Sequence, residues 1–305
     1  MGGGGGGYSV GPGDLDAIKR EVEERTERSM AEAEVNDLLS RELTRINFRD
    51  AEETSRHLDA IAEALGEEID VERLNFGGSI AKHTYVDGLS DIDSLIFLRG
   101  DDLAKLGPAE LRARLEDALQ ARLPKGDVKE IRAGNLAVTV TYTDGSEVQL
   151  VPAREARDGT TEISSADGSR WKAIEPRKFA EALTRVNKAQ AGGVVPTIKL
   201  AKGIIASLPE SAHLSGYHVE ALAVAAFTGY NGPRNPRHLL SHFFAAAAEG
   251  VKRPIADSTG QSRHIDESLG AADSSARRAA AIELGKVSAR MQSATSVAEW
   301  QDLLG

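Results

Sequence analysis

Gly77-Gly78-Ser79-Ile80 and, ten residues on, Ser90-Asp91-Ile92-Asp93-Ser94-Leu95-Ile96-Phe97-Leu98 decide how this sequence folds and what it can do. The glycine-serine turn predicts a short helix over 80–85. A polar loop follows, then a strand that opens on two carboxylates one residue apart. Residues i and i+2 of a strand share a face, so Asp91 and Asp93 point the same way and can share divalent metal. Backbone N–H groups at a Gly-Ser turn before a helix suit a phosphate, which assigns Gly78 and Ser79 to the cradle. A phosphate cradle beside paired carboxylates is the apparatus of nucleotidyl transfer. In such chemistry carboxylates hold two ions roughly 3.5–4 Å apart, one activating the attacking hydroxyl and one neutralising the leaving pyrophosphate. Magnesium or manganese is the implied cofactor, with Asp91 and Asp93 as metal ligands.

A third carboxylate should come from a neighbouring strand. Glu147-Val148-Gln149-Leu150-Val151-Pro152-Ala153 is the candidate. By the period of two, Val148 and Leu150 pack inward while Glu147 and Gln149 face the carboxylate pair.

Working outward, the 305 residues allow one large bilobal domain or two smaller ones. Residues 1–13 open with a run of glycines that buries nothing and predicts a disordered tail. Apolar residues at helical spacing predict an N-terminal helical region over 14–66, broken near Asn47. Strands are predicted at 74–76, 92–98, 128–132, 136–142 and 147–151, with a helix at 111–123. They form a mixed sheet in a catalytic lobe spanning 67–175. After Pro152 the pattern turns helical, with helices at 176–188, 195–208, 218–228, 237–249 and 274–293. These form a nucleotide-binding lobe over 176–305. The fold class is α+β, with the site in the cleft between lobes.

The formal net charge is −10, and there are no cysteines. The acidic balance argues against a long nucleic acid as substrate and is compatible with nucleotides that bring their own metal. Without cysteine there is neither disulfide nor thiolate-bound zinc. No apolar run reaches the length of a membrane span and no signal peptide is visible, so the expected compartment is the cytoplasm.

Gly78-Ser79, Ser90-Asp91-Ile92-Asp93 and Gln149-Leu150-Val151-Pro152-Ala153 together resemble the DNA polymerase β-type nucleotidyltransferase superfamily. With Pro196 to Lys202, Leu214 to Glu220 and Asp257 to Gln261, the chain most resembles the bacterial cGAS/DncV-like nucleotidyltransferases (CD-NTases) of CBASS anti-phage systems. The resemblance covers nearly everything after the glycine tail. It implies a long spine helix and an enzyme that joins NTPs, ATP among them, into a cyclic di- or trinucleotide second messenger with release of pyrophosphate. That product would diffuse to an effector during phage infection. By position, Lys202 and Lys199 become candidates for the donor nucleotide's phosphates, and Ser215 and Tyr217 for phosphate contact and base stacking. A conjugating or regulatory CBASS partner acting on the C-terminal Gly305 is implied as well.

The sequence departs from the family at Gln149, where the third acid usually sits. An amide oxygen can ligate magnesium but brings no charge. Three readings follow: Glu147 substitutes, Gln149 serves, or the site is degenerate and the protein a nucleotide-binding regulatory module. A linear nucleotidyl transferase is the enzymatic alternative.

Overall fold

The computed structural model describes residues 12–47, 51–66, 71–76, 82, 84, 92–98, 106–156, 158–165 and 167–304. Gly78, Ser79, His83, Asp91, Gly305 and the tail up to residue 11 lie outside the described residues.

Two helices lead. α1 (Pro12–Asn47) starts inside the stretch expected to be a tail. Proline suits the first helical position, where its fixed φ is already helical and its missing N–H has no bond to make. The break falls where the apolar pattern placed it, and α2 (Ala51–Gly66) follows. The two helices then part company. Val35 and Leu39 of α1 join the core of the helical half, whereas Ile61 and Leu65 of α2 pack under the sheet.

The sheet is mixed and seven-stranded, in the order β1-β2-β5-β4-β3, with β6 added beside β5 and β7 beside β6. Its strands are β1 (Val71–Phe76), β2 (Ile92–Leu98), β3 (Val128–Ala133), β4 (Val138–Tyr142), β5 (Glu147–Glu155), β6 (Thr161–Ser164) and β7 (Trp171–Ile174). β2 and β5 run parallel, and the connection between them carries α3 (Pro108–Arg122). Leu115 and Leu119 of α3 close the sheet's core over Ile96, Val138, Val140, Val148 and Leu150.

The expectation that the chain turns helical after Pro152 is corrected. β5 continues through Pro152 to Glu155, and two further strands follow. Proline is tolerated because the antiparallel partner changes there. β4 pairs with β5 up to Leu150, β6 takes over from Ala153, and Pro152 falls in the gap.

The helical half holds α4 (Pro176–Ala189), α5 (Val194–Ala206), α6 (Gly216–Phe227), α7 (Pro236–Gly250), α8 (Ser275–Ser293) and α9 (Val297–Leu304). α9 was not anticipated; Trp300 and Leu303 bury it in the common core. Among the described residues, no helix is long and apolar enough to cross a membrane.

Candidate active site

On the sheet side, the parallel pairing of β2 with β5 sets Asp93 in register with Gln149. Thr139 of β4 stands opposite Gln149 on its other flank. Val148 and Leu150 are fully buried while Glu147 and Gln149 are half-buried, as the alternation requires. Glu147 leans the other way, since Thr141 of β4 donates its hydroxyl to Glu147 Oε1 at 3.1 Å. Of the two third-ligand candidates, Gln149 therefore lies beside Asp93, and Glu147 is engaged one strand further off.

On the helical side, the geometry is set by α5 and α6. Lys202 of α5 is 5% exposed. Its Nζ donates to the Thr84 carbonyl at 2.9 Å and to Glu220 Oε1 at 3.0 Å. The Glu220 carboxylate, on α6, also accepts from Lys82 Nζ and from the Thr84 hydroxyl. Burial alone would lift the Glu220 carboxyl, but the Lys82 and Lys202 ammonium groups and the Thr84 hydroxyl hold it below the usual range. Lys202 thus bonds Thr84 and pairs with Glu220. Lys199, three residues earlier, bonds the Asn47 side chain at the end of α1 and is not brought to this cluster.

Ser215 caps α6, its hydroxyl accepting from His218 N at 3.2 Å. Gly216 follows because space is short: a Cβ there would meet Lys202 Nζ at 3.2 Å and Cε at 3.3 Å. Tyr217 packs edge-on against Phe179 of α4 with centroids 4.7 Å apart. Lys82 Nζ lies about 5 Å over both rings. The Tyr217 hydroxyl donates to Asp257 Oδ1 at 2.9 Å. Burial, and then the Asp257 charge, push the phenol pKa up.

Asp257 organises the polar loop that the sequence left without a role. It accepts from Thr259 N and Oγ1 and from Ser262 N and Oγ, as well as from Tyr217. Burial opposes its charge, yet these bonds hold its pKa down. The loop reaches the sheet lobe, where Glu175 N donates to the Thr259 carbonyl and Lys172 Nζ to that of Gln261.

The lobe boundary therefore gathers Lys82, Thr84, Lys202, Tyr217 and Glu220. Glu220 is not among the site candidates drawn from the sequence. The signal was there: a glutamate in Gly216-Tyr217-His218-Val219-Glu220-Ala221-Leu222-Ala223, an otherwise apolar helix, must be buried and so must be paired.

α4 presents Arg177, Arg185 and Lys188, with Glu181 between them, to a surface groove of about 520 Å³. That basic stripe is about 16 Å long by helical rise, too short to offset an acidic chain against a long duplex.

The domain described as Second Messenger Oligonucleotide or Dinucleotide Synthetase matches residues 33–187, just over half of the 305 residues. No curated protein matches the chain. Three solved structures are similar. Vibrio cholerae DncV cyclic AMP-GMP synthase, in complex with linear intermediate 5′ pppA(3′,5′)pG, aligns over 95% of this chain and 89% of its own, with TM-score 0.62 and 10% identity. The Bradyrhizobium diazoefficiens CD-NTase CdnG, in complex with GTP, aligns over 83% and 88%, with TM-score 0.59 and 18% identity. E. coli MS115-1 CdnC with ATP aligns over 83% and 90%, with TM-score 0.59 and 15% identity. At these identities the likeness is one of fold.

Proposed function

The chain belongs to the Second Messenger Oligonucleotide or Dinucleotide Synthetase family, the bacterial CD-NTases, and on that premise we propose that it is a metal-dependent synthase of a cyclic oligonucleotide from NTPs, acting in CBASS defence. The observation that carries this reading is the register of Asp93 with Gln149 on adjacent parallel strands. It supports a donor set made of Asp91, Asp93 and the Gln149 amide oxygen. ATP and GTP in the CdnC and CdnG structures support NTPs as the substrates.

The residues fit the implied ions by donor type. Oxygen ligands from carboxylate and amide suit magnesium or manganese. Asp91 and Asp93 are the charged ligands of the reading, and Gln149 is the neutral one. The ions, when bound, activate the attacking ribose hydroxyl and neutralise the triphosphate. The protein's own part is positional. Gly78 and Ser79 hold the terminal phosphates through backbone N–H groups. The ring of Tyr217 stands beside Lys82 on the helical side and is held in place by Asp257. Lys202 supports this side from below through Thr84 and Glu220.

Incubation with all four NTPs and magnesium or manganese tests the proposal. Pyrophosphate release and a phosphatase-resistant product are expected, because a cyclic product has no terminal phosphate. Asp93→Asn should abolish both, and Gln149→Asp should raise the rate, whereas Glu147→Ala should leave it near wild type. A phosphatase-sensitive product would make the enzyme a linear transferase. The neutral Gln149 favours one second reading, a nucleotide-binding regulatory module. NTP binding with no pyrophosphate release under either metal would establish that instead.

A further inference from the structure

Lys82 and Thr84 are the described residues between β1 and β2, and both hang on one carboxylate. That carboxylate, Glu220, is 1% exposed and belongs to the other lobe. Lys202 closes the ring by bonding the Glu220 carboxylate and the Thr84 carbonyl together. The tied segment begins three residues after Ser79 and ends seven before Asp91. It thus connects the phosphate cradle with the carboxylate pair.

We propose that Glu220 is a positioning residue: it fastens the segment between cradle and carboxylates to the helical lobe and so fixes where the triphosphate lies relative to the metal ligands. This rests on the reading of the site as an NTP site. The chemistry suits the task. A buried carboxylate is held only while its donors are in place, because losing them leaves an uncompensated charge. Both lysines reach it through flexible stems that act as point charges, and the Thr84 hydroxyl adds a directional bond. Lys82 and Thr84 are therefore seated against α6 before any nucleotide arrives. Reactions that depend on orientation lose about a hundredfold in rate when a group shifts by about 1 Å, so a seat of this kind has a kinetic consequence.

Two variants separate seat from stability. Glu220→Asp keeps the charge beside Lys202 but draws the carboxylate back from Lys82 and Thr84. Glu220→Gln/Lys202→Met replaces the deepest ion pair with a neutral pair, so that of the three charges only the Lys82 ammonium, at the edge of the cluster, loses its partner. Amide hydrogen exchange on the ligand-free protein reads the seat. Peptides covering residues 80–90 should exchange about tenfold faster in both variants, with α6 and α8 unchanged. Binding of ATP and of a non-hydrolysable ATP analogue with magnesium reads the consequence, and affinity should fall about tenfold. Turnover at saturating ATP should fall further still.

Unchanged exchange over 80–90 would overturn the proposal. So would exchange that rises equally throughout α5 to α8, which would make Glu220 an ordinary core group. Faster exchange with wild-type affinity and turnover would overturn it too. Wild-type protein that binds none of the four NTPs would sink the functional reading and the positioning role with it. Wild-type binding that both variants retain in full would sink the positioning role alone.

Discussion

α6 carries two buried ionic clusters, and they do different work. His218 and Glu220 are two residues apart, about 200° around the helix, so they leave it on opposite sides. Glu220 reaches across to the sheet lobe and takes its partners from a loop and from α5. His218 stays inside the helical lobe, with Nε2 3.4 Å from Asp266 Oδ2. Asp266 is in turn held by Arg277 Nη1 at 2.6 Å. Arg277 is fully buried, and its other donors go to the carbonyls of Gly270, Val251 and Asp266. A guanidinium presents a rigid fork, whereas an ammonium is a point charge on a flexible stem. The arginine cluster therefore fastens the helical lobe to itself. The lysine cluster joins the helical lobe to Lys82 and Thr84, which lie outside it.

The sharpest way to break this contrast is Arg277→Met. It strips four hydrogen bonds and leaves the Asp266 carboxylate buried without its cation. The cost should be about 3–5 kcal/mol, read as a lower urea midpoint. ATP affinity, measured under conditions where the variant is still folded, should stay at the wild-type value. A loss under about 1 kcal/mol would mean that Arg277 is not the clamp its geometry describes.

Acid should find the same cluster. Burial pushes the His218 pKa down to about 4, with Asp266 pulling upward and Arg277 adding to the depression. The unfolded chain takes up this proton near its ordinary value of about 6.5, so between those pH values the unfolded state binds more protons. Stability is then fully present above about 6.5 and falls as pH drops toward about 4. The total loss is about 3 kcal/mol. Thermal unfolding across that range should show the slope, and His218→Gln should flatten it. An unchanged slope in the variant would place the acid-sensitive group elsewhere.

How much of this was legible beforehand depended on the kind of signal. β2 and the first part of β5 were read correctly because alternation and the Asp91-x-Asp93 spacing survive in the sequence. β6 and β7 were missed because four-residue strands such as Thr161-Glu162-Ile163-Ser164 carry too little alternation to stand out, and Pro152 reads as a stop. Gln149 and Glu147 were both visible as candidates for the third metal position; that Gln149 is the one in register with Asp93, and that Glu147 bonds Thr141, needed the strand pairing. Lys202 was picked out, but its partners Thr84 and Glu220 were not. No sequence spacing indicates that an ammonium on α5 bonds Thr84, more than a hundred residues earlier, and shares a carboxylate with it. Non-local ion pairs have no period.

The smallest effect tests the helix from which both clusters spring. Ser215 is exposed, and its hydroxyl accepts from His218 N. A hydroxyl has one donor and two acceptor sites, so capping leaves its proton to give to a phosphate oxygen. Ser215→Ala should cost about 1 kcal/mol of stability through the lost cap. Ser215→Asp separates the two duties, because aspartate caps a helix as well as serine does but offers a phosphate only negative charge. Its unfolding free energy should match wild type within about 0.5 kcal/mol, while ATP binding weakens by more than about tenfold. If Ser215→Asp binds ATP as wild type does, Ser215 leaves the nucleotide set and remains a cap. The contrast on α6 then narrows to Glu220, whose partners are the ones that cross between lobes.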